Sequence, residues 1–123
     1  MIALFPGKFQ PPHIGHVISI VRIYEKYSQI IIGVTDDGPI VMDQIKRVEM
    51  MQEVFRFMPK VKVIAVKGVL TEYTEKGLLP DFDVCISGNK KVIERIRLLG
   101  LKAEFLNRSN GIGFSGTEIR SLI

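Results

Sequence analysis

Pro6-Gly7-Lys8-Phe9-Gln10-Pro11-Pro12-His13-Ile14-Gly15-His16 is the stretch from which the fold is read. Residues 2–5 ahead of it form a short apolar run that reads as a strand, and residues 14–27 behind it read as a helix. A glycine- and proline-rich turn from a first strand into a first helix is where α/β proteins hold phosphate groups. Gly7 lets the backbone turn sharply, and Gly15, lacking a Cβ, lets the helix N-terminus come close to a ligand with its N–H groups and partial positive charge. His13 and His16 are the only two histidines in the chain, and their spacing at the helix start aims both rings at the same crevice. Imidazoles placed there can donate to phosphate oxygens and stabilise charge that builds on them.

Working outward, residues 29–34, 61–66, 83–86 and 102–106 also read as strands, several of them too continuously apolar for a sheet with one wet face. Between them the steps of three and four at Ile45, Val48, Met51, Phe55 and Met58 predict a helix with a single apolar stripe. A further helix is expected over residues 90–99 with Gly100 as its C-terminal cap, a short one over 71–79, and a last one entered through Ser115 or Thr117. Strands alternating with helices require crossovers, and right-handed crossovers place helices on both faces of a parallel sheet. The expected class is therefore α/β: a Rossmann-like, doubly wound, parallel five-stranded sheet in a single domain over residues 1–123. Its ligand crevice should lie at the carboxyl ends of the strands, just after Phe5, Val34, Val66 and Ile86.

Composition narrows the function class. With 46% hydrophobic and 24% charged residues, the 123-residue chain has an ordinary globular balance and length for one core. No apolar run approaches the ~20 residues of a membrane span, so neither insertion nor export is expected. The single cysteine, Cys85, lies in an apolar run and suits a reduced, cytoplasmic setting as a buried core residue. A net charge of +4 suits an anionic partner. The basic residues are dispersed, with no interleaving of aromatic and basic side chains, which favours a phosphorylated small molecule over nucleic acid. Structural zinc would have to borrow carboxylates, because no second thiol or third histidine exists.

The order Gly7-Lys8-Phe9-x-x-x-His13-x-Gly15-His16 resembles the Gly-x-Phe then His-x-Gly-His pattern of the nucleotidylyltransferase superfamily. Phe114-Ser115-Gly116-Thr117-Glu118-Ile119-Arg120 is similar to that superfamily's late Ser-x-Thr-x-x-Arg motif at a helix start. Arg47-Val48-Glu49-Met50-Met51 and Ser87-Gly88-Asn89 resemble positions of the archaeal-type nicotinamide mononucleotide adenylyltransferases. The resemblance runs from Leu4 to Ile123, strong at both ends and vague from Gly68 to Asp83. The chain departs from that branch in having no tryptophan, a short segment after Val34 and a C-terminus three residues past Arg120.

The resemblance implies transfer of a nucleotidyl group from a nucleoside triphosphate to a phosphorylated acceptor, with release of pyrophosphate. It implies that His16, with His13 beside it, stabilises the α-phosphate, and that Lys8 and Arg120 hold the outgoing phosphates. Gly7, Phe9, Gly15, Ser87, Asn89, Ser115 and Thr117 would line the nucleotide, and Asp36, Asp37 and Arg47 the acceptor side. Mg²⁺ would arrive with ATP, held by nucleotide and water and by no dedicated protein centre. Asp36-Asp37 is also a strong turn signal, and Arg47, off the stripe of Ile45, Val48 and Met51, can point into the crevice or into solvent. The motifs leave open ATP against CTP, the acceptor, and a non-catalytic nucleotide sensor. Partners beyond the substrates are expected to be further copies of the chain, with no nucleic acid or membrane.

Overall fold

The computed structural model describes residues 1–9, 13–36, 43–67 and 79–106. Five parallel strands form one sheet in the order β3-β2-β1-β4-β5: β1 (Ile2–Gly7), β2 (Gln29–Thr35), β3 (Val61–Val66), β4 (Val84–Ser87) and β5 (Ala103–Phe105). The register pairs Ile2 with Gln29 on one side of β1 and Ala3 with Val84 on the other, so strand order reverses between β1 and β4. That reversal opens a crevice at the carboxyl ends of the two central strands.

Near-continuous apolar runs are needed because both faces of the sheet are covered. Ala3, Phe5, Ile30, Ile32, Val34, Val84 and Ile86 point to one face and pack with Ile20, Ile23, Met51 and Phe55. The alternate residues Leu4, Ile31 and Cys85 point to the other and pack with Val92, Ile93, Ile96 and Ala103. Period-two alternation thus survives, with apolar residues in both phases. Each fully buried aliphatic side chain contributes roughly 1.5–3 kcal/mol. Gly33 is required by closeness: a Cβ there would lie 2.8 Å from Val66 Cγ2.

α1 (Ile14–Tyr24) and α2 (Gln44–Val54) cover the first face and α3 (Lys90–Leu98) the second. Asn89 caps α3 by accepting from Lys91 N, and Gly100, at φ +80°, ends it in the left-handed conformation expected of a terminal glycine. α1 stops three residues before the expected end, with Tyr27 buried beyond it.

α2 differs from expectation in its rotation. Ile45 is 66% exposed, while Arg47 is fully buried beside Met51 and Phe55, and Phe55 and Met58 lie past the helix end. The helix turns its Gln44 and Arg47 inward because backbone carbonyls at the strand ends require donors, a demand that a count of apolar residues does not register. Among the described residues no helix is long and apolar enough to cross a membrane. The helix expected over 71–79, apart from Leu79, and the one entered through Ser115 or Thr117 lie outside the described residues.

Candidate active site

At the end of β1 the chain turns through Lys8 into Phe9, which has φ +53° and is 2% exposed. A left-handed non-glycine residue costs of order 1–3 kcal/mol, and burying a phenylalanine returns a similar amount. The ring lies 6.3 Å from that of Phe5 and meets His16 edge-on, centroids 4.6 Å apart at 77°. A Cβ on Gly7 would approach Phe9 Cζ to 2.9 Å, so glycine here makes room for that ring. Phe9 and Gly7 therefore serve the site from beneath, with the Phe9 side chain packed in the core.

His13 is the N-cap of α1. Its Nδ1 accepts from Gly15 N at 3.0 Å, while His16 Nδ1 accepts from His13 N at 3.0 Å, a capping box built from two imidazoles. Because both Nδ1 atoms are acceptors, each neutral ring carries its proton on Nε2. The rings stack with their centroids 3.7 Å apart and their planes at 24°. The helix start differs from expectation in one respect. The Gly15 amide is taken up by the His13 cap and the His16 amide donates to His13 O at 3.0 Å, so both amides are already engaged within the first turn.

Arg47 rises from α2 beneath this loop. Its Nη1 donates to Lys8 O at 2.6 Å and Thr35 O at 2.8 Å, fixing the backbone on which the exposed Lys8 side chain stands. The side chain thus points into the strand ends, not into solvent, and its guanidinium places a positive charge under the crevice. Thr35 Oγ1 adds a 3.3 Å bond to Gly7 O, tying β2 to β1.

Ser87 ends β4, on the far side of the crevice, and Asp36 follows β2. Ser87 Oγ accepts from Asn89 N at 3.1 Å and Asn89 Oδ1 from Lys91 N, so both residues shape the turn into α3. Topology brings Gly7, Lys8, His13, Gly15, His16, Asp36, Arg47, Ser87 and Asn89 to the same edge of the sheet. Asp37, Ser115, Thr117 and Arg120 lie outside the described residues. Two residues escaped the sequence reading, Thr35 and Gln44. Gln44 carried a legible signal, since it occupies the same helical phase as Arg47 and Met51.

A family model described as cytidylyltransferase-like matches residues 4–122. The chain belongs to that family. Among curated relatives of this cytidylyltransferase-like chain, the nicotinamide-nucleotide adenylyltransferase of Methanococcus aeolicus is 33% identical over all of the chain and 77% of the relative. That of Pyrobaculum aerophilum is 30% identical over 98% of the chain and 75% of the relative. Among solved structures, the bifunctional NMN adenylyltransferase/ADP ribose pyrophosphatase from Francisella tularensis superposes with a TM-score of 0.70 at 15% identity, covering 98% of the chain and 41% of that protein. The likeness establishes a Rossmann-like nucleotidyltransferase fold for the cytidylyltransferase-like chain, which spans less than half of that longer protein.

Proposed function

We propose that this protein transfers the adenylyl group of ATP to nicotinamide mononucleotide, releasing pyrophosphate and joining the two nucleotides. The observation that carries the reading is the stacked His13–His16 pair at the end of β1, both rings held as Nε2–H donors by the cap of α1. The names of the relatives supply the substrates.

A phosphomonoester acceptor loses its second proton near pH ~6 and attacks as an anion without a general base. The acceptor oxygen attacks the α-phosphorus in line and the bond to the β-phosphate oxygen breaks. The protein's task is then positioning and the neutralising of charge. The two Nε2–H groups donate to α-phosphate oxygens as charge grows, while Lys8 and Arg120 hold the departing pyrophosphate. Mg²⁺ enters bound to the ATP phosphates as part of the substrate. The protein works in the cytoplasm as a symmetric homo-oligomer; exposed Val54 and Phe57 on and after α2 support assembly, which light scattering tests as a multiple of 13.9 kDa.

The deciding experiment is pyrophosphate release with ATP or CTP, each with nicotinamide mononucleotide and a panel of other phosphomonoesters in Mg²⁺ buffer. Release with ATP and nicotinamide mononucleotide is expected. Release only with another pair replaces the substrate, and nucleotide binding without release makes the protein a sensor. The absence of tryptophan favours including acceptors without a nicotinamide ring.

A further inference from the structure

The first turn of α2 reaches across three strand ends with two side chains. Arg47 serves the β1 side, through Lys8 O and Thr35 O. Gln44, on the same helix face, serves the other: its Nε2 donates to Val34 O at 2.9 Å and to Val66 O at 3.1 Å. One carboxamide nitrogen therefore satisfies a carbonyl on β2 and one on β3 and holds the two ends at a single separation. Asp36 follows directly on the end of β2, two residues beyond the Val34 carbonyl, on the side of the crevice expected to take the acceptor.

We propose that Gln44 is a positioning residue for the acceptor: by bridging the ends of β2 and β3 it sets where Asp36 stands relative to His13 and His16. This rests on the adenylyl-transfer reading above. Gln44 touches no reacting atom and acts only through the backbone. Its chemistry suits the task. A primary amide carries two N–H donors on one nitrogen, matching two carbonyl acceptors. Glutamate would set carboxylate oxygens against those carbonyls, methionine would leave both without this donor, and lysine would restore donors on a stem of similar reach. The division of labour with Arg47 predicts a division in kinetics. Loosening the β2–β3 end should affect the acceptor and spare the nucleotide, whose phosphates lie over the β1 loop.

The test is steady-state kinetics of the full chain with ATP and nicotinamide mononucleotide, comparing wild type, Gln44→Glu and Gln44→Lys. Gln44→Glu is expected to raise the acceptor KM about tenfold while the ATP KM stays within roughly twofold, and Gln44→Lys to recover most of the loss. Equal changes in both KM values, no change in Gln44→Glu, or a Gln44→Lys as impaired as Gln44→Glu would each overturn the proposal. Should Gln44→Glu fail to fold, Gln44→Met replaces it with the same expectation, and a normal acceptor KM there overturns the proposal equally. Wild type separates the two readings. A wild type that turns over with no acceptor defeats the adenylyl-transfer reading and this inference with it, whereas an active wild type with an indifferent Gln44 variant defeats only the inference.

Discussion

His13 does two jobs with two nitrogens, and substitution can separate them. Nδ1 caps α1 through Gly15 N, while Nε2 is the donor assigned to the α-phosphate. Asparagine is among the best N-caps and keeps an acceptor near the Nδ1 position without reaching as far as Nε2. His13→Asn should therefore hold the thermal midpoint near wild type and still lower kcat at least about a hundredfold, the cost of losing a transition-state donor. His13→Ala should lose turnover and also about 1 kcal/mol of stability, the usual loss on removing a cap. Thermal melts beside pyrophosphate-release rates check this, and a His13→Asn variant with normal kcat would remove His13 from the chemistry. The placement of both rings at the start of α1 could be read in the sequence from their spacing. Their mutual capping could not, because it depends on the rotamers that Phe9 and the stacking contact impose.

At the scale of elements, strands were legible to within a residue or two because long apolar runs bounded by turns leave few alternatives. α3 was legible for its caps, Asn89 and Gly100, which work through local backbone chemistry. With φ at +80° and nothing within 4 Å of a built Cβ, Gly100 is needed for its backbone conformation alone. Gly100→Ala should accordingly destabilise by about 1 kcal/mol without altering KM for either substrate, as read by urea unfolding and steady-state kinetics. A loss of activity at unchanged stability would contradict a purely terminating role. α2 was legible as a helix but not in its rotation. The spacing of Ile45, Val48 and Met51 describes an apolar stripe, yet the helix sets Gln44 and Arg47 inward and leaves Ile45 exposed. Four carbonyls at the ends of three strands, those of Lys8, Val34, Thr35 and Val66, make that choice, and they become neighbours only once the sheet has formed.

For the molecule as a whole, the doubly covered sheet makes one pH-dependent statement. Burial pushes the Cys85 thiol from 9.0 up to about 12. Below pH ~9 folded and unfolded chains both keep this proton, so the full stability is present; between about 9 and about 12 the unfolded chain releases it and the folded chain does not. Stability should fall across that window at up to ~1.4 kcal/mol per pH unit, and Cys85→Ala, though less stable at neutral pH, should lose that part of the slope. Urea titrations at several alkaline pH values measure it; identical slopes would show that the thiol ionises equally in both states. The native thiol should likewise resist alkylation at pH 8 until the chain unfolds. What the sequence by itself determined is the alternation of strand and helix, the parallel class that follows from it, and the glycine–histidine turn after β1. Each of these is encoded over a few neighbouring residues, by periodicity, caps and backbone freedom. Only the tertiary structure decided that Phe9 belongs to the core and that Arg47 and Gln44 bind carbonyls of strands distant in the chain. Those outcomes turn on which polar groups meet after the sheet has assembled, and no local pattern carries that information.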